Sequence, residues 1–218
     1  MKISVLGTGI VGETIGTRFV ELGYEVKMGS RSATNEKALA WAAKVGAGAT
    51  VGTFAEAASF GEILFNCTKG EASLNALKLA GEENLAEKIL VDVSNPLDFS
   101  KGMPPSLFVV NTNSLGEEIQ QAFPKLKVVK SLNTMNCMLM MRPMMLAEAD
   151  HDVFVCGNEP EAKVMVKKLL NQLGWTDQHI IDLGDITNAR GTEQLLPIWI
   201  RLYGALGTAN FNFKVVRA

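Results

Sequence analysis

The chain has 218 residues, 47% of them hydrophobic, with 21 Lys plus Arg against 23 Asp plus Glu for a formal net charge of −2. That length buries a core as one domain with a small appendage and is tight for two complete domains. The near-neutral balance leaves no electrostatic footprint for nucleic acid or an anionic membrane, so small molecules or another subunit are the expected partners.

The opening MKISVLGTGIVGE is apolar, but glycines break the run and Glu13 and Arg18 follow it, so no export signal is expected. Late in the chain, LLPIWIRLYGALG is interrupted by Pro197 and Arg201 and is too short to span a bilayer. A soluble cytoplasmic protein is expected. Cys67, Cys137 and Cys156 lie far apart with no CxxC spacing, and His151 and His179 are the sole histidines, which argues against a disulfide framework, a thiolate metal site and a structural zinc, and no metal is expected.

Short β-branched or apolar runs alternate with amphipathic helical ones, the pattern of an α/β, Rossmann-type doubly wound and mostly parallel sheet. The predicted strands are KISVL, YEVKM, EILFNCT, ILVDVSN, KVVKSLN, DVFVCG and HIIDLG. Thr53 with Glu56 and Ser114 with Glu117 fit capping boxes, Pro160 fits a first helical turn, and Gly174 fits a helix stop. The alternation pauses across TMNCMLMMRPMMLAEAD, which predicts a dinucleotide-binding domain over 1–150 and a small extension over 151–218, with added strands on the same sheet and a packed last helix.

The first strand runs into Gly7-Thr8-Gly9-Ile10-Val11-Gly12, and a helical stretch follows. A GxGxxG alone is weak, but between a strand and a helix it predicts a bound dinucleotide. Gly7 permits the tight turn, Gly9 the approach of the pyrophosphate, and Gly12 close packing of helix on strand. Unpaired N–H groups at the helix start then face the phosphates.

The second strand ends in Gly29-Ser30-Arg31-Ser32, where a dinucleotide site selective for NAD carries a carboxylate. Arg31 supplies a planar cationic fork suited to a 2′-phosphate, Ser30 and Ser32 add hydroxyls, and Gly29 is expected to make room, so NADP is the predicted cofactor. A solvated loop cation is the alternative reading of Arg31. Thr34 and Asn35 are open to the phosphate or to capping the next helix.

Ligands in such sheets lie beyond the carboxyl ends of the strands. Those ends supply Cys67, Thr68, Lys69, Asn95, Pro96 and Asn133 as further candidates for the cofactor site. Lys130 is expected at the sheet's rim, Asp92 at a turn, and both histidines in structural or surface roles. No catalytic side chain is assigned, because hydride transfer between rings depends on alignment and exclusion of water more than on a proton donor. The methionines from Met135 to Met145 are open to three readings: a wall for a flat ring, core, or a subunit contact.

The glycine loop, Gly29-Ser30-Arg31, Ser94-Asn95-Pro96, VVKSLNT and the late ARGTEQLLPIWIRLYG together resemble the NADP oxidoreductases that use the deazaflavin coenzyme F420, over nearly the whole chain. The resemblance implies a Rossmann domain with a small carboxyl-terminal part, a homodimer, and hydride transfer between NADP and deazaflavin. That family carries His before the Thr of the VVKSLNT motif, where this chain has Asn133. Asn-Thr is similar to the cytosolic NADPH-binding domain of membrane metalloreductases, which reduces a flavin. Deazaflavin and flavin therefore both stand as ring acceptors, beside an imine or 3-hydroxyacid-type reductase and a non-catalytic NADP(H)-sensing protein.

Overall fold

The computed structural model describes residues 1–217. Ten strands and ten α-helices follow the chain: β1 (Lys2–Leu6), α1 (Ile10–Glu21), β2 (Glu25–Ser30), α2 (Glu36–Val45), β3 (Ala49–Thr53), α3 (Phe54–Phe60), β4 (Ile63–Asn66), α4 (Gly70–Ala80), α5 (Glu82–Leu85) and β5 (Ile89–Asp92). They continue with β6 (Leu97–Asp98), β7 (Ser106–Leu107), α6 (Leu115–Ala122), β8 (Lys127–Ser131), α7 (Cys137–Met141), β9 (Val153–Cys156), α8 (Pro160–Leu173), β10 (Ile180–Asp182), α9 (Ala189–Gln194) and α10 (Leu196–Leu206). Eight strands form one sheet in the order β10-β9-β8-β5-β4-β1-β2-β3. It is parallel except between β8 and β9, while β6 and β7 form a separate antiparallel hairpin.

The central strands read as near-continuous apolar runs because helices cover both their faces. On one face α1, α2, α7 and α8 bury Ile15, Phe19, Trp41, Leu139, Val166 and Leu170. On the other, α3, α4, α5 and α6 bury Ala57, Leu77, Leu85 and Ile119, with Ala189 of α9. The order reverses between β1 and β4, opening a crevice at their carboxyl ends.

Local signals behave as their chemistry requires. Thr53 and Glu56 form a reciprocal capping box. Ser114 accepts the Glu117 N–H, but the Glu117 carboxylate turns to the Ser114 hydroxyl and to Arg190. Pro160 occupies the first turn of α8, and Gly174 ends it with φ of 109°.

The hairpin of β6 and β7 is not among the predicted strands, and two further features depart from the sequence reading. Strand β3 is an edge strand whose ATVGT buries only Gly52, so it has no apolar run to betray it. Helix α10 does not lie across the sheet as expected: it continues from α9 and buries only Leu196, while Trp199 stacks on Tyr203 and on Phe211. The added strands β9 and β10 do extend the main sheet.

Candidate dinucleotide and hydride-transfer site

The glycine loop joins β1 to α1 at the crevice. Gly7 has φ of 122°, and a Cβ there would lie 2.7 Å from the Cys67 carbonyl oxygen. A Cβ on Gly12 would lie 2.3 Å from the Gly7 carbonyl oxygen, so helix and loop approach too closely for any side chain. Gly9 differs, since nothing lies within 4 Å of the place its Cβ would take. The first bond into α1 runs from the Glu13 N–H to the Gly9 carbonyl at 2.9 Å, leaving the N–H groups of Ile10, Val11 and Gly12 without helical partners. An open surface fronted by unpaired donors fits a pyrophosphate.

Alanine at position 9 should therefore leave thermal stability nearly unchanged while its methyl group fills that open space. Titration should show dinucleotide affinity about tenfold weaker or worse, by analogy with other lost close contacts. Unchanged affinity would remove the loop from the binding site.

At the end of β2 the loop is ordered by its own hydroxyls. Ser30 is buried and its Oγ donates to the Ser32 carbonyl at 2.6 Å, while Ser32 Oγ and Thr34 Oγ1 lie 2.8 Å apart. Asn35 caps α2 by accepting the Ala38 N–H. Arg31 is exposed and makes no hydrogen bond or ion pair among the described residues, so its guanidinium is free for a ligand. The expectation for Gly29 is corrected: a Cβ there would lie 2.7 Å from Ala57 Cβ, so the glycine makes room for α3 and not for a phosphate.

On the far side of the glycine loop, the ends of β4 and β5 enclose a cavity of about 330 Å³. Val11, Cys67, Thr68, Lys69 and Asn95 line it, and Leu97 and Phe99 of the hairpin region add an apolar wall. Pro96 and Asn133 are buried and do not line it. Asn133 acts from behind: its Nδ2 donates to Asn95 Oδ1 at 2.9 Å, and Asn95 Nδ2 donates to the Asn133 carbonyl at 2.9 Å. Leu132, held at φ of 65°, turns Asn133 into this pair, a local strain of the kind found at binding sites. Burial, then the nearby Asp92 carboxylate, pushes the Cys67 thiol far up, so it is no thiolate nucleophile.

Thr8, Gly9 and Ile10 also border a larger hollow of about 570 Å³ between α1, α2 and α7, where Lys37 and Trp41 join them. Met138 and Met141 reach this hollow, Met135 and Met140 are core, and Met144 and Met145 are exposed. The methionine segment thus divides among roles.

The sequence reading missed the buried polar network under the smaller cavity. Lys130 is fully buried, not at the rim, and its Nζ donates to Asp92 Oδ2 at 2.8 Å, to the Ser94 carbonyl at 2.6 Å, and to Glu193 at 2.8 Å. Asp92 Oδ1 accepts from Asn66 Nδ2, Ser94 Oγ and the Ser94 N–H, and Asn66 Oδ1 accepts from Thr68 Oγ1. The signal was the run Val128-Val129-Lys130-Ser131 in a central strand, where Lys130 stands opposite Asp92 in register. His151 is also buried and structural, bonded to Asn212 and the Pro143 carbonyl.

Residues 2–96 match the family model described as NADP oxidoreductase, coenzyme F420-dependent. The F420-dependent NADP reductase of Methanocaldococcus jannaschii is 31% identical over 157 residues, covering 70% of this chain and 68% of that protein. Metalloreductase STEAP3 of Rattus norvegicus is 30% identical over 202 residues; they make up 91% of this chain but only 38% of the rat protein. The crystal structure of a putative F420-dependent NADP-reductase from Arthrobacter sp. FB24 superposes with a TM-score of 0.94 at 54% identity over 100% of both chains. An imine reductase from Streptomyces aurantiacus shares the fold, with a TM-score of 0.64 at 19% identity over 94% of this chain and 64% of that one. Likeness in sequence to the archaeal reductase and in both sequence and fold to the Arthrobacter protein leads to one conclusion: the chain belongs to the family of coenzyme F420-dependent NADP oxidoreductases.

Proposed function

We propose that the protein transfers hydride between NADP(H) and a deazaflavin or flavin ring. The observation that carries this reading is the pairing of a free Arg31 at the end of β2 with a partly apolar cavity at the ends of β4 and β5, one on each side of an open glycine loop. A dinucleotide spans two such places, with its phosphorylated ribose at one and its nicotinamide at the other.

In this reading Gly9 and the first N–H groups of α1 receive the pyrophosphate, and Arg31 and Ser32 receive the 2′-phosphate. Ser30 shapes the Ser32 loop from within. Thr68 and Asn95 orient the nicotinamide, and Leu97 and Phe99 keep water from the reacting face. Lys69, exposed at the start of α4, stays solvated at the mouth. The unit over 1–150 holds the dinucleotide, and 151–218 completes the sheet beside it.

NADPH supplies two electrons and one proton as hydride, and the acceptor ring takes a second proton from solvent. In this reading no residue of the chain has to exchange a proton. Purified protein should accelerate NADPH oxidation, followed by nicotinamide absorbance, when deazaflavin or free flavin is added in separate arms. Tight NADPH binding without acceleration by either ring would overturn the hydride-transfer reading and leave a sensing protein.

A further inference from the structure

The cluster beneath the smaller cavity holds more negative than positive charge. Lys130 contributes one cation and Asp92 and Glu193 one anion each, with the Lys130 side chain and both carboxylates at most 1% exposed. Its connection to the cavity is direct, because Ser94 lines the cavity, accepts from Lys130 Nζ at its carbonyl, and donates its N–H and hydroxyl to Asp92 Oδ1. Glu193 also accepts the N–H groups of Leu115 and Gly116 at 2.9 and 3.0 Å, at the start of α6. That helix end supplies at most about half a positive charge, so the buried cluster itself keeps an excess of about half a negative charge, while the start of α4, with Glu71 in its first turn, adds a water-screened partial positive charge at the mouth. At the mouth Lys69 and Glu71 have opposite signs and are both exposed to water, so they add little.

We propose that this buried excess makes the site discriminate between the two redox states of its dinucleotide, favouring the oxidised form, and that Glu193 sets the bias without touching the ligand. The inference rests on the reading that places the nicotinamide in this cavity. The nicotinamide ring is cationic when oxidised and neutral when reduced, so a net anion in a low-dielectric floor acts on one form only. Tighter relative binding of the oxidised form lowers the reduction potential of the bound pair, which makes the bound reduced form a stronger hydride donor.

The test is calorimetric titration of NADP+ and NADPH into wild type, Glu193→Gln and Arg190→Gln. Glu193→Gln removes one charge and keeps an oxygen to accept a helix N–H. Arg190→Gln breaks the half-buried pair with Glu117 on the same two helices and leaves Lys130, Asp92 and Glu193 alone. The ratio of the NADP+ to the NADPH dissociation constant should rise about three- to tenfold in Glu193→Gln, with NADPH affinity within about twofold of wild type, and should not move in Arg190→Gln. An unchanged ratio in Glu193→Gln, or an equal change in both variants, overturns the proposal. Should Glu193→Gln not fold, Asp92→Asn removes the other buried anion of the cluster, and the same rise in the ratio is expected. Wild type that binds neither nucleotide would instead defeat the site assignment itself.

Discussion

Replacing Lys130 by methionine should lower folding stability by about 3–5 kcal/mol, read as a fall in the urea midpoint with an unchanged slope. Methionine roughly matches the volume, so little of the loss comes from packing. The cost arises because the Asp92 and Glu193 carboxylates stay buried after the cation between them is gone. Against a total stability of about 5–15 kcal/mol for an ordinary domain, this is among the largest effects a single side chain has. Recovery of wild-type stability in the variant would show that the two carboxylates do not depend on Lys130.

The same ammonium has a defined pH signature. Burial alone would lower its pKa, but the carboxylates of Asp92 and Glu193 more than reverse that and hold it above the ordinary lysine value of 10.5. A folded-state pKa raised above the unfolded one stabilises fully below the unfolded value, and the contribution is lost as pH rises through the folded value. The deficit of the methionine variant should therefore persist at neutral pH and shrink in alkali, above about pH 10.5.

What was legible in the sequence and what was not follow from the range of the interactions involved. The tight part of the glycine loop could be read because the positive φ of Gly7 and the approach of Gly12 to the Gly7 carbonyl are needs met within one turn. The central strands could be read because burial on both faces writes an apolar run. Strand β3 and the hairpin of β6 and β7 could not, since an edge or a two-residue strand leaves most side chains free to be polar. Gly29 was misread because its obstruction, Ala57, lies on another element. Lys130 was misplaced for the same reason: its partner Glu193 is 63 positions away, and only the folded chain brings α9 under the end of β8. Helix α10 carries an apolar pattern that the chain itself does not bury, so periodicity alone misplaced it.

Arg31 offers the clearest separation of binding from folding. Among the described residues its guanidinium has no partner, so Arg31→Ala should leave the melting temperature within about 1 °C, as surface changes away from structural contacts usually do. A 2′-phosphate is a different matter. Charge-assisted hydrogen bonds contribute about 1.5–3 kcal/mol each, so losing the fork should weaken NADP binding about 10- to 100-fold. NAD has no phosphate there, and its affinity should change little. Arg31→Glu should go further, because a carboxylate at the end of β2 accepts the ribose 2′-hydroxyl and repels a phosphate, reversing the preference toward NAD. Calorimetry with both dinucleotides on both variants measures the four affinities needed. The local order of Ser30, Ser32 and Thr34 does not involve Arg31, so the loop should keep its shape and the change should report on the guanidinium alone. Equal losses for NADP and NAD would mean that Arg31 grips some other part of the dinucleotide, and no loss for either would return it to the role of a solvated cation.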